Sequence, residues 1–95
     1  MTQPQVCERT VVINNPLGIH ARPAAMVVRL ASRFRSDVLL SKGDVERVNG
    51  KSIMSVMMLA AECGSQVTVR AEGEDADAAV AALGRLLESN FEGMQ

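Results

Sequence analysis

Residues 37–48, DVLLSKGDVERV, hold two short runs typical of β-strands, DVLLSK and VERV, separated by Gly43-Asp44. A Gly-Asp pair between two such runs predicts a tight turn, so the two runs are expected to form a β-hairpin. Strands joined this directly have no crossover helix between them and pair antiparallel. The segment therefore predicts a sheet that is largely antiparallel.

The segments on either side of this hairpin carry the remaining elements. Alternating or β-branched apolar residues indicate strands, whereas apolar residues at three- and four-residue steps indicate amphipathic helices. By these criteria the flanking elements are a strand at 8–13, a helix at 21–34, a helix at 53–61, a strand at 67–71 and a helix at 75–90. This order predicts an α+β two-layer sandwich with the helices on one face of the sheet. We expect residues 1–95 to form a single domain with its core at about 8–91.

The composition argues against several classes of protein. With 47% hydrophobic and 22% charged residues, the chain is ordinary for a globular domain. Two Phe, no Trp and no Tyr leave little surface for stacking nucleic-acid bases, and a net charge of −1 argues against a general nucleic-acid binder. No apolar run approaches the ~20 residues of a membrane span, and the N-terminus resembles no secretory signal. We therefore expect a cytoplasmic protein without membrane insertion.

Charged and metal-binding residue types are unevenly placed along the chain. Residues 1–51 carry eight Lys/Arg and four Asp/Glu, net +4, whereas residues 52–95 carry two and seven, net −5. The first half is suited to attract an anion or an acidic partner, although solvated faces that segregate without function would give the same pattern. One histidine and two distant cysteines, Cys7 and Cys63, predict reduced thiols and no metal site.

The segment NPLGIHARPAA at 15–25 places the single histidine at the start of the first predicted helix. Pro23 is tolerated in the first helical turn, where its missing N–H would have no intrahelical partner. The free N–H groups of that turn make an anion site, to which the guanidinium of Arg22 adds a bidentate donor. A neutral imidazole at His20 is a nucleophile suited to accept a phosphoryl group there. Alternatively, His20 only caps the helix and Arg22 is solvated.

A second segment, NGKSIMSVMM at 49–58, opens the second predicted helix. Its Gly-Lys-Ser triplet resembles the end of a P-loop, but position 45 is Val rather than the required glycine, so no nucleotide site is expected. Ser52 is adequately explained as a helix N-cap. A short helix cannot turn all its large apolar side chains inward, so some are expected to form an adaptable binding surface. The alternative is that all of them fill the core; they are Ile53, Met54, Met57 and Met58.

Together, LGIHARPAA at 17–25 and VNGKSIMSVMMLAA at 48–61 resemble the HPr family, the histidine-containing phosphocarriers of the bacterial phosphoenolpyruvate-dependent phosphotransferase system. The resemblance implies four antiparallel strands covered on one face by three helices. It also implies a phosphotransfer intermediate that needs no cofactor and is not itself an enzyme. By the resemblance, His20 accepts a phosphoryl group on Nδ1 from enzyme I and passes it to EIIA-type acceptor proteins. Arg22 neutralises the phosphoryl charge.

The same resemblance implies roles for the second motif. Ser52 corresponds to a regulatory serine that HPr kinase/phosphorylase phosphorylates, and a carrier of this kind is expected to be a monomer. Ala60 departs from the pattern, because many members that are kinase substrates have glycine there. Alternatives are an NPr-like protein of the nitrogen branch, a serine-phosphorylated module that controls metabolism or transcription, or a small ligand-binding domain. The docking surface for enzyme I, EIIA domains and the kinase would comprise Ala25, Arg29, Ile53, Met54 and Met57.

Overall fold

A computed structural model describes residues 5–43, 45–89 and 91. Within these residues the four strands form one antiparallel sheet in the order β1-β4-β2-β3, and three helices accompany them. This arrangement confirms the predicted α+β sandwich. The elements are β1 (Gln5–Val12), α1 (Ala21–Ala31), β2 (Asp37–Lys42), β3 (Val45–Asn49), α2 (Ile53–Met58), β4 (Gln66–Gly73) and α3 (Ala76–Glu88).

The β2–β3 hairpin pairs antiparallel as predicted, with Leu40 opposite Val48 and a shift of register between Leu40 and Lys42. Gly43 of the predicted turn has a φ of 47°, which glycine adopts without a Cβ clash, while Asp44 lies outside the described residues. On its other side β2 pairs with β4, and β4 pairs in turn with the edge strand β1. The hairpin therefore forms one half of the sheet and the β1–β4 pair the other.

Three element boundaries differ by three residues from those expected from the sequence, and the other boundaries that differ do so by one or two. β1 begins at Gln5 rather than at 8, because its exposed first residues still pair with β4, Gln5 lying opposite Gly73. α1 ends at Ala31 rather than at 34, because the N–H groups of Arg33 and Phe34 bond three residues back instead of four. Phe34 donates to the Ala31 carbonyl. α2 ends at Met58 rather than at 61, because Ala60 takes a positive φ of 52°. Strand pairing and turn conformation, rather than apolar periodicity, set these ends.

The core lies between the sheet and the helices and is almost wholly aliphatic. The inward-facing residues of β4 and α3 are buried: they are Val67, Val69 and Ala71 on β4, and Ala76, Val80, Leu83 and Leu87 on α3. Phe91 also packs into this core. The opposite face of the sheet is polar, with cross-strand pairs such as Thr10 and Thr68, whose hydroxyls lie 2.8 Å apart. The largest fully buried side chains are Ile13, Leu40, Leu59, Leu83, Leu87, Val27, Val38, Val56, Val67 and Val69.

The helices are arranged around α1, which contacts both α2 and α3. The N-terminus of α1 follows the loop after β1, and α2 follows the hairpin directly. The two motifs singled out in the sequence thus occupy the first turns of neighbouring helices. None of the helices in the described part of the chain has the length and apolar character needed to cross a membrane.

Candidate functional site

His20 occupies the N-cap position of α1, with an extended backbone and an exposed side chain. Its carbonyl accepts a hydrogen bond from the Ala24 N–H at 2.9 Å, which closes the first helical turn. Its imidazole makes no capping hydrogen bond. Capping therefore does not account for this histidine, and its ring nitrogens are accessible to a reactant.

The first turn of α1 presents hydrogen-bond donors next to His20. The first N–H of the helix to form a backbone hydrogen bond is that of Ala24, which donates to the His20 carbonyl. Pro23 has no N–H. Within the described ranges the N–H groups of Ala21 and Arg22 have no acceptor, and the turn contains no acidic residue. These two N–H groups, the positive end of the helix dipole and the exposed guanidinium of Arg22 are together suited to bind an anion.

The loop that leads to His20 rests on the chain segment after α2. The Ile19 N–H donates to the Ala61 carbonyl at 2.8 Å, and the Gly64 N–H donates to the Ile13 carbonyl at 2.7 Å. Gly18, with a φ of 69°, passes so close to Ala61 that a Cβ would collide with its carbonyl oxygen. Glycine is therefore required at this position both by conformation and by space.

Asn15 closes the same loop and is a positioning residue that the sequence analysis missed. Its side chain is only 8% exposed, and its Nδ2 donates to the Gly18 carbonyl at 2.7 Å. The Gly18 N–H donates back to the Asn15 carbonyl at 2.9 Å. An Asn before Pro with a Gly two residues further on is a turn signature, so a signal for this closure was present in the sequence. Leu17, at the tip of the loop, is 78% exposed.

Ser52 caps α2 as predicted, its Oγ accepting a hydrogen bond from the Ser55 N–H at 3.3 Å. The side chain is half-buried. The preceding Lys51 anchors this start to the turn that follows α1, because its Nζ donates to the Phe34 carbonyl at 2.8 Å. The turn before it is closed by the Asn49 side chain, whose Oδ1 accepts from the Lys51 N–H. The cap and its surroundings are thus well ordered by local bonds.

The large side chains of α2 form an exposed apolar surface, which we call the α2 surface. Ile53 is 43% exposed, Met54 71%, Met57 40% and Met58 70%, and Val56 is the buried residue of this helix. The prediction that some of these side chains are exposed is confirmed, and the alternative that all four fill the core is wrong.

The two α1 residues expected at the docking surface differ in exposure. Ala25, in the second turn of α1, is half-buried. Arg29, one turn further on, is exposed and lines a groove between α1 and α3. Ala25 is therefore nearer to His20 along the helix, whereas Arg29 lies on the side of α1 that borders the groove.

The cysteines lie apart from one another in the fold, and both thiols are free. Cys7 is half-buried on β1, while Cys63 is exposed in the loop after α2, with its Sγ 3.8 Å from the Asn14 carbonyl oxygen. Among the residues that the structure describes, no three His, Cys, Asp or Glu side chains cluster as metal ligands would.

Comparison with known proteins adds a decisive observation. The family described as the PTS HPr component phosphorylation site matches residues 7–89, a range that includes both motifs. The chain belongs to the HPr family. It is 50% identical over 84 residues to the phosphocarrier protein HPr of Treponema pallidum, covering 88% of this chain and 94% of that protein.

Solved HPr structures share the fold. The HPr of Thermoanaerobacter tengcongensis superposes with a TM-score of 0.84 at 43% identity, covering 94% of this chain and 99% of that one. Crh of Bacillus subtilis superposes with a TM-score of 0.69 at 41% identity over 92% of this chain and 93% of that one, and is described as a dimer with a swapped domain. HPr-like proteins thus include dimers, and a monomer stays a prediction for this chain.

Proposed function

We propose that this HPr-family chain is a phosphocarrier of the phosphotransferase system, accepting a phosphoryl group on His20 from phospho-enzyme I. The observation that carries the proposal is the His20 imidazole at a helix N-terminus, which is exposed and makes no capping hydrogen bond. It lies beside the N–H groups of Ala21 and Arg22. The neutral ring attacks phosphorus with the Nδ1 lone pair, and the bond from phosphorus to its donor breaks. Onward transfer to an EIIA-type protein reverses these roles, so the chain is an intermediate rather than an enzyme.

The modest character of this site suits a carrier. A phosphohistidine that must be given up again has to be stabilised without being trapped, because tight ground-state binding would raise the barrier to the next transfer. Two backbone N–H groups and the guanidinium of Arg22, all at the surface, offer that moderate stabilisation. Exposure of His20 also lets donor and acceptor proteins reach the same atom in turn.

We propose that Ile53, Met54 and Met57 of the α2 surface form the docking face for enzyme I, EIIA domains and the kinase. Ala25 and Arg29 of α1 complete this face. Flexible methionine side chains adapt to several partner surfaces, which a carrier with different donors and acceptors needs. The excess of basic residues in the first half of the sequence favours fast, weak encounters with acidic partners. We propose a monomer, which light scattering would distinguish from a dimer.

The test of the carrier role is phosphorylation by enzyme I and phosphoenolpyruvate carrying labelled phosphate. We expect acid-labile label on the wild-type chain and none on His20→Gln, whereas Cys63→Ser, with an exposed thiol changed, should be labelled like the wild type. Acid-stable label from ATP and a kinase, with none at His20, would instead support a regulatory binding module. No label under either condition would leave only a ligand-binding domain.

Regulation through Ser52 by HPr kinase/phosphorylase is proposed from its place beside the α2 surface. A phosphate there adds about −1.5 to −2 charge at pH 7 and would repel an acidic partner from the neighbouring methionines. We expect Ser52→Asp to accept phosphate from enzyme I more slowly than the wild type. Ser52→Ala is the matched control: it loses the cap bond to Ser55, worth about 1 kcal/mol of stability, without gaining charge. Equal transfer rates for Ser52→Asp and wild type would contradict this regulation.

A further inference from the structure

A shallow groove of about 450 Å³ runs between α1 and α3 and has an apolar floor. Met26 and Leu30 contribute to it from α1, and Ala82 and Leu86 from α3. Each pair is spaced four residues apart, so each helix presents one continuous stripe to the groove. The groove extends from Met26 to Leu30 along α1, about one helical turn at 1.5 Å per residue, and continues to Arg33 in the turn that follows the helix.

The rim of the groove carries three arginines, Arg29 from α1, Arg33 from the turn after α1 and Arg85 from α3, and all three are exposed. Across the described residues none of them has a carboxylate within 4.0 Å, and no acidic residue lines the groove. The contrast is with other arginines of the chain: Arg9 pairs with Glu88 and Arg70 with Glu8, each at 2.8 Å. Among the residues that the structure describes, the positive charge around this apolar floor therefore has no carboxylate partner.

We propose that this groove docks an acidic amphipathic α-helix of a partner protein. A helix of two to three turns would lay apolar side chains, spaced three and four residues apart, onto the floor, as in other helix-in-groove recognition. Its flanking Asp and Glu side chains would meet the three guanidiniums, which bind carboxylates in a bidentate geometry. A concave floor fits a convex helix, whereas adsorption to an anionic membrane calls for apolar side chains that project outward.

The groove is separate from the proposed phosphoryl site and from the α2 surface. Its lining comes from α1, the turn after α1 and α3, and its first α1 residue, Met26, lies more than one turn beyond His20. Only Arg29 belongs to both the groove and the proposed docking face. A partner helix held here leaves the His20 imidazole uncovered, so this inference does not depend on the carrier role.

The test is an NMR titration of the full ¹⁵N-labelled chain with a lactam-stapled peptide of three helical turns. The peptide carries Leu on one face and Glu on both flanks, and a peptide of the same composition in scrambled order is the reference. We expect saturable shifts of amides at 26–33 and 82–86, with those at 53–58 unmoved. Arg85→Glu should weaken binding by about tenfold, equivalent to about 1.4 kcal/mol. Arg47→Glu, the same change at an exposed arginine of β3, should leave the affinity unchanged.

Several outcomes would overturn the proposal: shifts confined to 53–58, equal weakening by the two variants, or equal binding of the scrambled peptide. Binding of the chain to phosphatidylglycerol vesicles but not to the peptide would assign the groove to membranes instead. Thermal melts of both variants establish that they fold. Labelling at His20 by enzyme I is expected to be unaffected in Arg85→Glu, so the outcome of this test is distinguishable from failure of the carrier role.

Discussion

The loop that precedes His20 is held by a few individual contacts, and a single substitution can remove any one of them. Asn15 bonds to Gly18 through both its side chain and its carbonyl, and Ile19 bonds to the Ala61 carbonyl. Between these bonds Gly18 has a left-handed backbone conformation and lies against the backbone of Ala61, in the loop after α2. The geometry at His20 is therefore set by residues that themselves touch no phosphoryl group.

Replacing Gly18 by alanine tests this dependence, with Gly64→Ala as the matched control. Both glycines have positive φ, 69° and 91°, but only at Gly18 would a Cβ meet another atom, the Ala61 carbonyl oxygen; at Gly64 nothing lies within 4 Å. We expect Gly64→Ala to lose about 1–2 kcal/mol of unfolding free energy in urea from backbone conformation alone. Gly18→Ala should lose more and should also slow labelling at His20. Equal losses of unfolding free energy in the two variants would show that the close approach of Gly18 to the Ala61 carbonyl does not affect stability.

Residue-level prediction from the sequence succeeded where the relevant geometry is local. The place of His20 at the helix start follows from the neighbouring Pro23 and from the count of N–H groups in a first turn, and the cap at Ser52 follows from residue preference. The Ala61 carbonyl under the loop was not predictable, because that contact joins segments far apart in the chain. Only the fold brings them together.

At the scale of elements, α2 shows how one backbone conformation ends a helix. Its apolar run continues to 61, but the helix stops at Met58, and Ala60 follows with a φ of 52°. Glycine, which the resemblance places here in many members that are kinase substrates, would take this conformation without a Cβ penalty. The boundary of α2 is thus a matter of turn conformation that periodicity does not report.

Ala60→Gly is expected to stabilise the protein by roughly 1 kcal/mol, because it relieves a left-handed alanine. Ala81→Gly, at an exposed position inside α3, should have the opposite sign and cost about 1 kcal/mol. Urea denaturation of both variants gives the two free energies directly. Destabilisation of the same size in both would mean that Ala60 is not strained.

At the scale of the whole molecule, Asp75 ties the start of α3 to the turn before β2. Its carboxylate accepts hydrogen bonds from the Ser36 hydroxyl and from the N–H groups of Arg35 and Ser36. It therefore makes no cap bond to its own helix, although it occupies the N-cap position. The Ser36 hydroxyl bond, followed by the Arg35 N–H bond, lowers the pKa of Asp75 from 3.8 to about 2.

This tie predicts a dependence of stability on pH. Because the pKa is lower in the folded state, the Asp75 carboxylate contributes stability at pH values above about 4, and that contribution is lost as the pH falls toward 2. Urea unfolding of wild type and Asp75→Asn should therefore differ most near neutral pH and converge in acid. Ser36→Ala, which removes the largest cause of the lowered pKa, should reduce the same difference. A gap between wild type and Asp75→Asn that is constant from pH 6 to 2 would contradict this account.

The contact between Gly18, Ile19 and Ala61 also bears on how the sequence can vary. The loop that carries His20 and the segment that follows α2 meet at the Ala61 carbonyl, which accepts a hydrogen bond from the Ile19 N–H and leaves no room for a Cβ at Gly18. A substitution that shifts the backbone at 61 alters His20, and an insertion before His20 displaces the end of α2. The two motifs are therefore expected to coevolve: a tolerated change in the loop before His20 should be accompanied by a compensating change in the segment after α2.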